Sequence, residues 1–188
     1  VAGKIGILAL QGAFTKHEQL LKALAIPVCQ VRYAHELQHC IGLIIPGGES
    51  TTMTWHIKEM ELAPSLKKFA QKHPLFGTCA GLIIMSKEGI LPVLEVSVSR
   101  NAYGRQCASF SAPLHVPFSS EIISAFFIRA PRITAVHSEK VKVLATEGNA
   151  PVLVQQGFHL AASFHPELSG NTAIHTYFYE ICKMESGR

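Results

Sequence analysis

The sequence predicts an α/β fold, a doubly wound sheet that is mixed but mostly parallel, with helices on both faces. Three observations carry that expectation. Short apolar runs alternate with helical stretches through the first half of the chain. Those runs are apolar at nearly every position, as strands covered on both faces are. And the residues able to do chemistry fall just after the runs, at the carboxyl ends of the predicted strands, where such sheets build their sites.

In order, "KIGILAL" (4–10) is the first strand and ends at Gln11-Gly12. "FTKHEQLLKALA" (14–25) places Leu20, Leu21 and Leu24 at helical spacing, and Pro27 ends it. "VCQVRY" is the second strand and "IGLIIP" (41–46) the third, closed by Gly47-Gly48. Helices follow from Ser50 to about Met60 and from Pro64 to Gln71. "PLFGT" is then the fourth strand and "AGLIIMSK" its helix. Beyond about Gly89 the runs become short and alternating: "LEVSVSR", "CASFSAPLHV", "SAFFIRA", "KVKVLATEG", "PVLVQQG" and "HLAASFH". They predict β-rich, partly antiparallel structure. "TAIHTYFYEICKM" closes the chain as a helix. With no linker, repeat or low-complexity segment in view, residues 1–188 are expected to form one domain.

Composition narrows the function. With 48% hydrophobic and 16% charged residues in 188, the chain has material for a core and is no disordered polymer. No apolar run reaches the roughly 18 residues of a membrane span. The opening "VAGKIGILAL" reads as a strand and not as a signal peptide, so a cytoplasmic protein is expected. The net charge of +4 is scattered, without the basic stripe that nucleic acid requires. Five cysteines (Cys29, Cys40, Cys79, Cys107 and Cys182) lack C-x-x-C spacing and suit neither a disulfide framework nor a four-cysteine zinc site.

Gly77-Thr78-Cys79-Ala80-Gly81 has the G-x-nucleophile-x-G form of a nucleophile elbow, whose glycines permit a crowded strand-to-helix turn. A small buried cysteine at a tight turn is the plainer alternative. A nucleophilic thiol needs a base, and the base an orienting group. "SFHPEL" (163–168) offers His165 and Glu167, which share a face if the segment is extended. His17-Glu18 and His35-Glu36 are weaker pairs, because adjacent side chains point apart. "IIPGGEST" (44–51) reads as strand, two-glycine turn and helix start, with Ser50 or Thr51 placed to cap. Its successive amides could serve as an oxyanion hole or hold a phosphate, although no Walker lysine follows. "HELQH" (35–39) matches the zinc-protease pattern H-E-x-x-H. It lies in too short a connector for the long helix that motif needs, and no metal site is expected.

With "LALQGAF" (8–14), "PGGESTTM" (46–53), "FGTCAGLI" (76–83), "RNAYGRQ" (100–106), "FIRAP" (127–131) and "SFHPEL" in this order, the chain resembles one family over nearly its whole length. It is similar to the glutaminase subunits of pyridoxal 5′-phosphate synthase, a branch of the class I triad glutamine amidotransferases with a flavodoxin-like fold. The resemblance implies hydrolysis of L-glutamine to L-glutamate and ammonia, with Cys79 as nucleophile, His165 as base and acid, and Glu167 as orienting residue. It implies glutamine binding by Gly48, Glu49, Ser50, Arg100, Ile128 and Arg129, an oxyanion hole at Gly47 and Gly48, and a partner contact at Gln11. It further implies a hetero-oligomer in which ammonia passes to a synthase subunit. Pyridoxal phosphate would be the product of that complex and not a cofactor of this chain, for which none is expected. The departure from the family pattern is a shortened stretch between Lys87 and Glu95. Two rival readings remain: another elbow-cysteine hydrolase of similar fold, or a silent binding partner.

Overall fold

The structure, a computed structural model, describes residues 3–100 and 109–187. Its first half alternates as the apolar runs predict. Strand β1 (Lys4–Leu8) leads to helix α1 (Phe14–Ala23), then β2 (Val28–Val31), β3 (Cys40–Ile45), α2 (Ser50–Glu59), α3 (Ala63–Ala70), β4 (Leu75–Thr78) and the short α4 (Ala80–Met85). The second half is β-rich: β5 (Val96–Ser99), β6 (Ser109–Val116), β7 (Ser119–Ile128), β8 (Arg132–Val136), β9 (Val141–Glu147), β10 (Ala150–Gln156) and β11 (His159–Ala162). Helix α5 (Ala173–Ser186) ends the fold.

Seven strands form the central sheet in the order β2-β1-β3-β4-β11-β10-β9. The pairs from β2 through β4 to β11 are parallel, and β10 and β9 add an antiparallel edge. β5 pairs with β8 and β6 with β7 as separate antiparallel ribbons. Strand β8 was not among the strands expected from sequence. Its partner β5 lies more than thirty residues upstream, so no local turn announces the pairing.

Side-chain alternation sorts the apolar residues into two cores, one on each sheet face. Leu8, Leu43 and Ile45 pack with Met53, Ile57, Leu66 and Leu82, under α2, α3 and α4. Ile5, Ile7 and Ile44 pack with Leu21 of α1 and Ile174 and Phe178 of α5. The shortened 87–95 stretch is drawn tightly onto α4. Leu91 and Leu94 are buried, and their amides donate to the carbonyls of Ile84 and Met85. Among the described residues no helix is long and apolar enough to cross a membrane.

The "HELQH" segment lies in a short 3-10 helix of six residues, Ala34–His39. At three residues per turn, positions i and i+4 lie about 120° apart, against about 40° in an α-helix. The two histidines therefore do not share a face, and Glu36 is spent accepting the amides of Arg32 and Tyr33.

Candidate active site

Four parallel strands deliver the site at their carboxyl ends. Gln11 follows β1, Gly47-Gly48 follows β3, Cys79 follows β4, and His165 follows β11. Cys79 stands between β4 and α4 with φ +50° and ψ −104°, a backbone conformation that an L-residue adopts only under constraint. Its amide is tied to the carbonyl of Ala162 on β11 at 2.9 Å, which anchors the turn from the neighbouring strand. The flanking glycines are there because the elbow leaves no room. A Cβ on Gly77 would stand 2.6 Å from the backbone of Gly81. The elbow read from the spacing is thus formed, and its thiol is nearly buried.

Nδ1 of His165 lies 2.7 Å from Oε1 of Glu167, both side chains being buried. The route to this contact differs from the one expected. Pro166–Leu168 is a 3-10 turn and not an extended segment, so the carboxylate reaches the imidazole by folding back after Pro166. Burial alone would disfavour an imidazolium at His165. The side chains of Cys79 and Glu167 outweigh it and raise the pKa to about 10. The amide of His165 donates to Phe126 of β7 at 2.8 Å, which binds this strand end to the site.

The two-glycine turn closes over the pair. A Cβ on Gly47 would lie 2.5 Å from Cε1 of His165 and 3.4 Å from Cβ of Cys79. Only glycine allows His165 and Cys79 to pack against that backbone. The carbonyl of Gly47 accepts the amide of Ala13 at 3.0 Å. Glu49 corrects one expectation: it, and not Ser50 or Thr51, is the N-cap of α2. Its carboxylate accepts the amides of Thr51 at 3.1 Å and Thr52 at 2.7 Å, and the Thr52 hydroxyl. Those bonds hold its pKa down at about 2. Ser50 is the first helical residue and is buried.

Arg100 donates from its guanidinium to Oγ1 of Thr51 at 3.2 Å, so it stands at the start of α2. Asn101–Gln106 of "RNAYGRQ", and Cys107, lie outside the described residues. Ile128 brings its carbonyl to 3.9 Å from Sγ of Cys79. Arg129 follows at φ +45°, exposed beyond the end of β7. The amide of Ala80 went unnoticed in the sequence. As the first residue of α4 it has no intrahelical acceptor, and it directly follows Cys79. The four described cysteines are free thiols. Among the described residues no group of three or more His, Cys, Asp or Glu side chains is arranged to hold a metal. A cleft of about 950 Å³, lined by Lys4, His39, Lys68 and Lys72, opens at the amino ends of the strands, away from this chemistry.

A strained cysteine at a strand-to-helix elbow, beside a histidine bonded to a carboxylate on a mostly parallel sheet, defines a glutamine amidotransferase-like site. The chain belongs to the SNO glutamine amidotransferase family, whose model matches residues 7–184. It is 45% identical over 187 residues to pyridoxal 5′-phosphate synthase subunit PdxT of Thermosipho africanus, covering 96% of this chain and 99% of that one. It is 43% identical to the protein of the same name from Francisella tularensis, covering 93% and 97%. A crystal structure of a glutamine amidotransferase superposes with a TM-score of 0.90 at 42% identity, covering 96% of this chain and 100% of that one.

Proposed function

We propose that Cys79, His165 and Glu167 are the triad through which this glutamine amidotransferase hydrolyses L-glutamine to L-glutamate and ammonia. The observation that carries the assignment is the 2.7 Å contact between His165 and Glu167, beside a cysteine held in a strained elbow. With its pKa raised to about 10, His165 holds the thiol proton as an imidazolium; the Cys79 thiolate attacks the side-chain amide carbon, and the C=O electrons move onto oxygen. The amides of Gly48 and Ala80 stabilise that oxyanion, with Gly47 shaping the turn. The tetrahedral adduct collapses, the C–N bond breaks, and His165 returns the proton to the leaving ammonia. Water, deprotonated by His165, then cleaves the thioester and releases glutamate. Glu167 keeps the imidazole oriented and balances its charge throughout.

Gly48, Glu49, Ser50, Arg100, Ile128 and Arg129 bind the glutamine. The support is the Ile128 carbonyl 3.9 Å from Sγ of Cys79, the β3–α2 turn that begins beside Cys79 at Gly47, and Arg100 bonded to Thr51 at the start of α2. An arginine there suits the α-carboxylate, which a guanidinium grips in bidentate fashion. Glu49, spent on its helix cap, acts by holding the turn. The chain, as one domain, is the glutaminase subunit of a pyridoxal 5′-phosphate synthase and supplies ammonia for vitamin B6 biosynthesis. It works in a hetero-oligomer with a synthase subunit, in contact through the Gln11 loop. A cytoplasmic setting fits its unpaired thiols.

The test is labelling with a glutamine-analogue electrophile. It should modify Cys79 and leave Cys29 unmodified, although the hydrogen bond from Cys40 lowers the Cys29 pKa to about 7. A simple alkylating agent should reach both. Equal labelling of Cys29 and Cys79 by the glutamine analogue, seen by mass spectrometry, would refute the assignment.

A further inference from the structure

Two histidines with no part in the triad lie directly behind it. His17 of α1 and His175 of α5 are completely buried, in a core that is otherwise mostly apolar. Nδ1 of His17 is 2.8 Å from Nε2 of His175. Nε2 of His17 faces Oγ1 of Thr78 at 3.3 Å and Oε2 of Glu167 at 3.5 Å. Thr78 is the residue before the nucleophile. Oε1 of Glu167 is committed to His165, and Oε2 is buried without a hydrogen bond of ordinary length.

The partners determine the tautomers. Burial lowers the pKa of both His17 and His175, so both are neutral and each carries one N–H. If His17 donated from Nδ1, its Nε2 lone pair would face the Glu167 carboxylate, and the Nδ1–H of His175 would be a buried donor without a partner. The reverse arrangement avoids both costs. His175 donates from Nε2 to Nδ1 of His17, which leaves the His17 Nε2–H directed at Thr78 and Glu167. The remaining orphan is then a lone pair on His175, the cheaper group to leave unpaired.

We propose that His17, with its tautomer set by His175, is a positioning residue for the reaction: its Nε2–H anchors the second oxygen of Glu167 and the Thr78 hydroxyl, joining the orienting carboxylate to the elbow. The proposal rests on the triad reading. A carboxylate held only at Oε1 can swing about its Cγ–Cδ bond. Held at both oxygens, it presents one fixed lone pair to His165. Glu167 must balance the full charge of the His165 imidazolium, and the 3.5 Å separation shortens in the substrate complex, as catalytic contacts do on substrate binding.

The test compares His17→Gln, whose amide nitrogen takes the place of Nε2, with His17→Asn, which reaches His175 but not Glu167. Both are measured in the complex with the synthase subunit. His17→Asn should lower kcat by about 10- to 100-fold, the range for removing an outer-shell partner, with KM for glutamine within twofold. His17→Gln should recover most of that loss. In a Glu167→Ala background, His17→Asn should have no further effect, because His17 acts through that carboxylate. The His165 imidazole resonance should titrate at lower pH in His17→Asn than in the unaltered chain. Equal kcat for the Asn and Gln variants, or an undiminished effect without Glu167, overturns the positioning role. If instead His165→Asn retains full activity, it is the triad reading that has failed.

Discussion

Oε1 of Gln11 accepts the backbone amide of Glu49 at 3.1 Å, so the loop after β1 is bonded directly to the turn after β3. A second bond, from the Ala13 amide to the Gly47 carbonyl, reinforces the connection. Together they set the orientation of the Gly47-Gly48 peptide, whose amide is the proposed oxyanion donor. Two adjacent glycines let that peptide rotate at small steric cost. One lost donor costs about 10²–10³-fold in rate. On the proposed docking of a synthase subunit at the Gln11 loop, this peptide would switch the site without moving the triad. The isolated chain should be slow, with a strong rise in kcat on adding the partner. Gln11→Ala should reduce that rise more than it changes KM. Equal kcat with and without saturating partner would show that the turn is no switch.

His165 and Glu167 should separate in their mutational consequences. His165→Asn removes the group that moves the proton, and turnover should vanish. Glu167→Gln keeps the bulk while losing the charge, and should leave a measurable remainder. An unchanged kcat in Glu167→Gln would reduce the machinery to a Cys–His dyad.

Gly47→Ala should be severe for activity and mild for folding. The added methyl would meet the His165 ring at 2.5 Å, while the neighbouring Gly48 and Glu49 are exposed and leave the turn room to shift. Steady-state kinetics should show kcat falling by at least an order of magnitude, with the thermal midpoint shifted only slightly. A fully active Gly47→Ala would mean that His165 is not held where the structure has it.

Stability should fall in acid. Burial lowers the pKa of His159 to about 4 and of His175 to about 3, against about 6.5 in the unfolded chain. Below pH 6.5 the unfolded state takes up protons that the folded state cannot. Each such histidine therefore lowers stability by up to about 1.4 kcal/mol per pH unit down to its folded pKa. His165 has the opposite sign. With its pKa raised to about 10, its contribution is full below pH 6.5 and is lost as pH climbs toward 10. Urea titrations across this range should place maximum stability near neutrality. A stability constant from pH 6.5 to 4 would contradict the buried, neutral state of these histidines.

Much of this protein is determined locally and is legible in the sequence. The elbow is written in Gly77, Cys79 and Gly81, because five consecutive residues suffice to form a strand-to-helix turn around a nucleophile. The parallel sheet is written in runs such as "IGLIIP", since strands buried on both faces must be apolar throughout. His165 and Glu167 lie two residues apart, so their pairing is equally visible, although the turn that joins them proved to be 3-10 and not extended.

What tertiary structure decided are the contacts that join distant segments. The helix cap fell to Glu49 because the Gln11 side chain holds its amide and orients the residue to reach Thr51 and Thr52. Strand β8 exists through β5. His17 looked in sequence like a weak partner of Glu18. In the fold Glu18 turns outward to Lys22 and Gln30, while His17 turns inward to a histidine 158 positions away and to the second oxygen of Glu167. Local spacing carries no information about such a meeting. It arises only when α1 and α5 pack on the same face of the sheet, and burial then presses the polar atoms they bring toward partners, although Nδ1 of His175 finds none.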